Sequence, residues 1–429
     1  MSKRHKSWVI NALLGLALLA SVWSQKVLFA DGVNFFLGSM ESSVQFDLLN
    51  IRSFAIFLRN SLSMLYAWLG GNNVPTAMAL FSIGAFLPIL MAVHILWRRS
   101  EQNEAGAWPS LLALLVGVFL LINFPATELL ICHAVTCLLV QGYLSGRAQK
   151  WPWLFACGIW LASFSYEVAV FTNFVCLLYL AFKSAPYRGR SLHMISHGLG
   201  IVLVLLFTYL HGVNANSASV FSKLTLASAI ALSTMLVLAF LFRNRMGLLL
   251  IVCLLGTIAF ALNAFPPNVN NVVGMAFRSL SYDSRGVSAA AMLAVSLLLW
   301  WPSIEQVKWP LAWQASTNTL IVLWVTFQIL CACAWHFFWT DFKADIARQA
   351  TSVELKNCSA CANSPQAYPH GVYLGWSWNW GQMALLASLD LGLEKRKGVV
   401  LTEGYVPWNE EQYQRFWTCH ATSKGATCP

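Results

Sequence analysis

Long apolar runs separated by short polar segments dominate this chain. A helix that crosses a bilayer needs about 20 mostly apolar residues, because each residue rises about 1.5 Å through about 30 Å of hydrocarbon. Eleven runs approach this length, and each predicts a membrane-spanning helix. They cover residues 8–29, 74–96, 108–123, 127–145, 151–165, 168–183, 194–211, 225–242, 246–264, 287–301 and 317–338.

The segment 43–60 has a different pattern. Asp47, Arg52 and Arg59 lie around a helix whose apolar positions recur at helical spacing. Those apolar positions are Val44, Leu48, Ile51, Phe54, Ala55 and Leu58. The pattern predicts an amphipathic helix that lies in the outer membrane interface.

Composition supports a membrane protein. The chain has 429 residues, of which 58% are apolar and 10% charged, with a mean hydropathy of +0.61. A soluble domain carries roughly 25% charged residues, so a soluble enzyme and a disordered scaffold are both excluded. The net charge of +10 comes from small basic clusters between apolar runs, which indicates contact with lipid headgroups and not with nucleic acid.

The basic residues also predict an orientation. With the N-terminus in the cytoplasm, 13 Lys and Arg fall in cytoplasmic segments and six in the outer loops before residue 339. An odd number of spans then places residues 339–429 outside. Residues 1–30 resemble a signal peptide as well, but residues 27–30 (VLFA) offer no A-x-A cleavage site, so we expect an uncleaved first helix.

We therefore expect an α-helical polytopic membrane protein in two parts. Residues 1–338 form the transmembrane module of about 11 helices, and residues 339–429 form a small α+β domain outside the cytoplasm. Residues 397–402 have the pattern of a short strand in that domain.

Carboxylates mark one side of the predicted membrane module. Six of them, outside the cytoplasmic loops and the C-terminal domain, all fall on the outer side: Asp31, Glu41, Asp47, Glu128, Glu167 and Asp283. A carboxylate near hydrocarbon is costly and tends to mark function. We therefore expect any chemistry at the outer surface.

Three of these carboxylates have informative neighbours. Asp31 directly follows the first span and precedes Gly32, and it is either a functional group, an exposed loop carboxylate or a helix N-cap. Glu128 lies in the first turn of a predicted helix, where the helix dipole favours it. Glu167 ends the short connection 163–167, which holds it at the membrane surface for function or for pairing with a nearby cation.

The loop 265–286 adds Arg278 and Arg285 to this outer side. Arginine at headgroup level binds a lipid phosphate in bidentate fashion, although snorkelling or pairing with Asp283 also accounts for these residues. Arginines and carboxylates on one outer surface are typical of a site for a lipid-phosphate donor and a hydroxyl acceptor.

The C-terminal domain contains four of the 11 cysteines: Cys358, Cys361, Cys419 and Cys428. An even number in an oxidising compartment predicts two disulfides, and sequence proximity favours Cys358–Cys361 and Cys419–Cys428. A zinc site with His420 and a redox centre are the alternatives. Trp376 and Trp378 suit a stacking surface for a sugar ring, the domain core or contact with the membrane.

The layout resembles the GT-C superfamily of membrane glycosyltransferases, which use polyprenyl-phosphate sugars. The resemblance lies in the first helix ending at Asp31, the interfacial segment NIRSFA at residues 50–55, the many spans and the external C-terminal domain. Residues 29–70 look like bacterial enzymes that decorate O-antigen, pilin or other surface glycans. Some of these carry an aromatic segment similar to GWSWNW at residues 375–380.

This resemblance implies an inverting transferase of the bacterial inner membrane that works on its periplasmic face. The donor would be a polyprenyl-phosphate sugar, and the acceptor a surface glycan or a pilin. Asp31 would be the general base, Glu167 or Glu128 would assist it, and Arg278 or Arg285 would hold the phosphate. We also expect Arg52 and the two tryptophans to contact substrate.

The sequence departs from the family at one point. The usual signature has two adjacent carboxylates in the first outer loop, whereas Gly32 follows Asp31 here. We therefore expect no cofactor, do not favour a divalent metal, and prefer a monophosphate donor over a diphosphate one. A polymerase or ligase of lipid-linked glycans and a lipid-linked-sugar flippase or transporter are the alternative functions.

Overall fold

The computed structural model is helical throughout the part of the chain that it describes. This part comprises residues 3–28, 31–40, 52–71, 73–119, 122, 127–183, 187–210, 272–300, 311–351, 383, 386–387 and 390–391. It contains no β-strand within these ranges. The helices are α1 (Lys3–Trp23), α2 (Asp31–Met40), α3 (Ser53–Trp68), α4 (Val74–Glu101), α5 (Ala107–Val118), α6 (Thr127–Leu144), α7 (Arg147–Lys150), α8 (Pro152–Ser163), α9 (Ala169–Phe182), α10 (Arg190–Leu210), α11 (Val272–Leu297) and α12 (Leu311–Thr351).

Four of the described helices are long and apolar enough to cross a membrane. These spans are Val74–Glu101, Thr127–Leu144, Arg190–Phe207 and Thr317–Ala344. Five shorter apolar helices accompany them: Trp8–Trp23, Ala107–Val118, Pro152–Ser163, Ala169–Phe182 and Arg285–Trp300. The prediction of an α-helical membrane protein is therefore confirmed in its general form.

Several finer predictions fall on residues outside the described part. These are the spans 225–242 and 246–264, the strand 397–402 and all four C-terminal cysteines. The count of 11 spans and the disulfides therefore stay predictions. Of the cysteines predicted within spans, Cys132, Cys137, Cys157, Cys176, Cys331 and Cys333 are free thiols.

Helix boundaries differ from the predictions most clearly in four places. The predicted loop 265–286 is wrong from Val272 onward, because Arg278 and Arg285 lie within the helix Val272–Leu297; charged residues there interrupt the apolar run without ending the helix. Asp31 begins a ten-residue helix, α2, which the sequence analysis did not predict; an exposed loop carboxylate was one of its three alternatives for this residue. The described part of the amphipathic segment 43–60 is helical only from Ser53, and this helix continues to Trp68. The last predicted span, 317–338, is part of a 41-residue helix that continues to Thr351, beyond the predicted boundary at 338.

Helix α6 lies at the centre of the bundle. Sixteen of its 18 residues are buried. The side chain of His133 bridges to its neighbours, with Nδ1 3.1 Å from the Ser288 carbonyl of α11 and Nε2 3.0 Å from the Ala113 carbonyl of α5. Outer helices show the opposite pattern: α10 exposes Ile195, Leu199, Val202, Leu205 and Leu206, and such a face is typical of contact with lipid.

A buried chain of hydrogen bonds joins α6 to three neighbouring helices. The Tyr143 hydroxyl lies 2.8 Å from Nε2 of His197, and Nδ1 of that ring lies 2.9 Å from Oδ1 of Asn173. The Asn173 amide then donates to the Ser163 hydroxyl at 2.8 Å. Because each of these polar groups is satisfied within the bundle, α6, α8, α9 and α10 are held in a defined register.

The direction of α6 defines two ends of the bundle. An 18-residue helix is about 27 Å long, which matches the hydrocarbon thickness of a bilayer. Thr127 and Glu128 lie at its first end, whereas Gln141 and Tyr143 lie at its second end. Charged side chains gather at each end, in two separate clusters.

Candidate functional site

The first cluster is built on a buried ion pair between α3 and α6. Arg59 Nη1 donates to Glu128 Oε1 at 2.9 Å and to Thr127 Oγ1 at 3.2 Å, and Arg59 Nε donates to Asn60 Oδ1 at 3.0 Å. The arginine and glutamate side chains are only 2% and 6% exposed. Glu128 is therefore an ion-pair partner as well as a first-turn residue, which the helix-dipole interpretation did not include.

Close packing between α3 and α4 places Arg59 in this position. A Cβ atom on Gly84 of α4 would lie 2.2 Å from the Arg59 carbonyl oxygen, so only glycine permits the observed approach of the two backbones. The guanidinium then lies over the ring of Phe35 at 4.1 Å and near that of Phe81 at 5.5 Å. These rings stabilise the cation while they exclude water from it.

A second ion pair joins the start of α3 to the connection between α8 and α9. Arg52 donates to Glu167 Oε1 from Nη2 at 2.8 Å and from Nε at 3.2 Å. The Phe54 N–H also donates to the Phe164 carbonyl at 3.2 Å, so the backbones of the two segments are joined directly. Glu167 is therefore paired with a nearby cation, and its functional role stays a prediction.

Tyr166 lies beside this second pair. The Arg52 guanidinium lies 4.6 Å from the centre of its ring, and the residue is 1% exposed. Burial raises the pKa of the Tyr166 hydroxyl, against the opposing effect of Arg52 and Arg285, so the phenol keeps its proton.

Arg285 completes the first cluster from α11. It is 7% exposed, and its charge acts on both Glu128 and Tyr166. Arg278 lies on the same helix two turns earlier, and its side chain is outside the described part. We call the group formed by Arg52, Arg59, Glu128, Tyr166, Glu167 and Arg285 the arginine cluster.

The helix that begins with Asp31 packs against the arginine cluster. Phe35, one helical turn after Asp31, receives the Arg59 cation on its ring, and its carbonyl accepts from Asn60 Nδ2 at 3.4 Å. A Cβ atom on Gly32 would lie 1.8 Å from the Val27 carbonyl oxygen, so glycine allows α2 to fold back against the end of α1. The Asp31 side chain itself is outside the described part.

Lys26 is a further buried cation near the start of α2. It lies in the short 3-10 helix Lys26–Leu28 and is 1% exposed. Its Nζ donates to Gln328 Oε1 of α12 at 3.3 Å and lies 5.0 Å from the ring centre of Phe86 in α4. The sequence neighbours of Lys26 do not reveal these distant partners.

The second cluster occupies the other end of α6. Arg147 donates to both carboxylate oxygens of Glu104, with Nε 2.7 Å from Oε2, and Gln141 Nε2 donates to the same Oε2 at 3.2 Å. Arg99 donates to Gln141 Oε1. The hydrogen bonds from Arg147 lower the pKa of Glu104 despite its partial burial, which is typical of a structural ion-pair network.

The structure therefore brings together four of the predicted site residues and leaves others outside the described part. Glu128, Glu167, Arg52 and Arg285 lie in the arginine cluster. Trp376 and Trp378 are not among the described residues, so their predicted contact with substrate stays a prediction. Within the described ranges, no three His, Cys, Asp or Glu side chains group closely enough to hold a metal ion.

Sequence reasoning missed two members of the cluster. Arg59 was interpreted as part of the polar face of an interfacial helix, and Tyr166 was read only as part of a short connection. The signal that was available for Arg59 was its helical spacing of seven residues from Arg52, which places both cations on one side of the segment.

Comparison with known proteins adds no assignment. No family model, no curated protein and no solved structure matches this chain.

Proposed function

We propose that this protein is an inverting membrane glycosyltransferase that moves a sugar from a polyprenyl-phosphate donor to a hydroxyl group of a surface glycan or pilin. The observation that carries this proposal is the arginine cluster. Three guanidinium groups and two carboxylates are gathered at one end of the bundle, directly beside the helix that begins with Asp31. Such a concentration of buried charge in an apolar protein favours a functional site.

The guanidinium groups are suited to binding the phosphate leaving group of the donor. When the bond between the anomeric carbon and the phosphate oxygen breaks, negative charge develops on that oxygen. Preorganised cations in a site with little water stabilise such charge strongly, and guanidinium matches phosphate geometry. Arg285 and Arg52, which both act on Tyr166, are the members we assign to the phosphate.

Asp31 is the base in this proposal. Its carboxylate accepts the proton of the acceptor hydroxyl while the hydroxyl oxygen attacks the anomeric carbon from the face opposite the phosphate. The sugar is transferred with inversion, the polyprenyl phosphate leaves, and no further reactant is needed. Glu128 and Glu167 accept hydrogen bonds from Arg59 and Arg52, so we assign them to holding these cations in place.

The orientation follows from the basic residues and belongs to the same proposal. We place the N-terminus in the cytoplasm and the arginine cluster on the periplasmic face of a bacterial inner membrane. Labelling of a cysteine introduced at position 31, by a reagent that does not cross membranes, should occur from the periplasm. Labelling only from the cytoplasm would exclude this arrangement.

The deciding experiment is sugar transfer by the Asp31→Asn variant. Purified protein is incubated with a panel of polyprenyl-phosphate sugars and with surface glycan or pilin as acceptor, and loss of sugar from the lipid is measured. We expect the wild type to release polyprenyl phosphate from one donor and Asp31→Asn to release none, at unchanged expression. Glu101→Gln, at the end of α4 far from the arginine cluster, is the matched control and should retain activity. Near-normal transfer by Asp31→Asn would refute the assigned base.

A further inference from the structure

The Tyr166 hydroxyl is a buried donor that has no hydrogen-bond partner within the described part of the chain. The residue is 1% exposed, in the connection between α8 and α9. Most buried polar side chains are satisfied, because an unsatisfied hydroxyl lowers the stability of the fold. Within the described part of the chain, the fold thus leaves this donor unsatisfied, which lowers its stability.

The charges around this hydroxyl define the acceptor that would satisfy it. Arg52 and Arg285 act on Tyr166 and favour an anionic group, whereas the carboxylates of Glu167 and Glu128 act on it in the opposite direction. Because both carboxylates are paired with arginines of the cluster, we assign the binding of an added anion to Arg52 and Arg285. The raised pKa described above keeps the phenol protonated. The hydroxyl can therefore donate a hydrogen bond, whereas a phenolate would repel an anionic ligand. Carboxylates and phosphates both accept hydrogen bonds from a hydroxyl and from guanidinium groups at the same time, and the donor of the proposed function supplies a phosphate.

The hydroxyl of a second buried tyrosine, Tyr143, has a hydrogen-bond partner within the described residues, unlike that of Tyr166. Tyr143 is also 1% exposed, and its hydroxyl lies 2.8 Å from Nε2 of His197. The two phenols therefore differ in their partners and not in their burial. This difference provides a matched control.

We propose that the Tyr166 hydroxyl donates a hydrogen bond to the phosphate of a lipid-linked substrate, in a phosphate site completed by Arg52 and Arg285. The identity of the lipid carrier rests on the proposed function, whereas the anion site rests on the buried Tyr166 hydroxyl, unpartnered among the described residues, and on the Arg52 guanidinium 4.6 Å from the centre of its ring. The site would recognise the phosphate group of a phosphate ester, and inorganic phosphate offers the same group.

The test measures ligand-dependent thermal stabilisation of the full-length protein in nanodiscs. The probes are undecaprenyl phosphate, the corresponding polyprenol without phosphate, and inorganic phosphate. The wild type should be stabilised by undecaprenyl phosphate and not by the polyprenol. Tyr166→Phe should keep at least the wild-type melting temperature without ligand, but its apparent affinity for undecaprenyl phosphate should fall about 10- to 100-fold, as expected for a lost hydrogen bond to a charged group.

The control variant, Tyr143→Phe, should show the reverse result. It loses the hydrogen bond to His197, so its melting temperature should fall while its affinity for undecaprenyl phosphate stays within twofold. Inorganic phosphate that competes in the wild type but not in Tyr166→Phe would show that the anion alone is recognised. Equal affinity of Tyr166→Phe and wild type, or equal stabilisation by the polyprenol, would overturn the inference.

The outcomes also separate this inference from the proposed function. If binding depends on Tyr166 but no donor sugar is transferred, the phosphate site stands and the transferase proposal fails. If the wild type transfers sugar and Tyr166→Phe does so with the same KM, the transferase proposal stands and the role of Tyr166 fails. Absence of phosphate-dependent stabilisation in the wild type would also overturn the inference.

Discussion

Replacing Glu128 by glutamine removes the negative charge from the buried ion pair with Arg59 and leaves the shape of the side chain nearly unchanged. Two physical accounts of Glu128 predict different magnitudes. If the residue only complements the dipole of α6, the loss is about 0.3–1 kcal/mol. If the ion pair dominates, the variant leaves a guanidinium buried without its carboxylate, and the loss is about 3–5 kcal/mol.

The structure favours the larger value. The two side chains are 2% and 6% exposed, and the distance between Nη1 and Oε1 is 2.9 Å. Glutamine still offers an oxygen to Arg59, so we expect a loss of about 3 kcal/mol, at the lower end of the range for a broken buried pair. The free energy of unfolding is measured in mixed micelles by titration with a denaturing detergent.

A double-mutant cycle isolates the pair. Arg59→Met replaces the cation by a flexible apolar side chain, which Phe35 and Phe81 already surround. The double variant should lose less stability than the sum of the single variants, with a coupling energy of about 2 kcal/mol. Glu101→Gln, at the end of α4, should change stability by less than about 0.5 kcal/mol. A loss below about 1 kcal/mol for Glu128→Gln, or a coupling near zero, would refute the ion-pair account.

Two further predictions test the packing and the second cluster. Gly84→Ala should lower the free energy of unfolding by about 1–3 kcal/mol, because the new Cβ would lie 2.2 Å from the Arg59 carbonyl oxygen. Gly15→Ala is the control: a Cβ at Gly15 would have no atom within 4 Å, so this variant should be nearly neutral in the same assay. Arg147 lowers the pKa of Glu104, so the stability from this pair is present above the ordinary carboxyl pKa and is lost as the pH falls through the lowered value. The difference in melting temperature between wild type and Glu104→Gln should therefore shrink between about pH 6 and pH 3, and a difference that does not change with pH would contradict this account.

Helix positions were largely predictable, because lipid requires every backbone polar group to be satisfied within its own segment. The apolar runs 74–96 and 127–145 correspond to α4 and α6, with starts at the predicted residues. The short connection that carries Glu167 was predictable for the same reason, since two adjacent spans leave few residues between them. In the structure, α4 is longer than the predicted run 74–96 only at its polar end, where it continues to Glu101.

Helix α2 was not predictable from local pattern. Gly32, Asn34 and Gly38 interrupt its apolar positions, and glycine and asparagine are poor helix formers. The structure nevertheless buries Val33, Phe36 and Leu37, so tertiary packing overrides the local preference here. That packing also brings Phe35 to Arg59.

By itself, the sequence determined that the protein is helical, that it suits a membrane, and which carboxylates stand at helix ends. Only the tertiary structure decided their partners, since Arg59 and Glu128 are 69 positions apart and Arg52 and Glu167 are 115 apart. The pattern of apolar residues predicts which face of a single helix is buried. An ion pair depends instead on which helices become neighbours. That choice is made by close contacts such as the one at Gly84, and no local pattern encodes it.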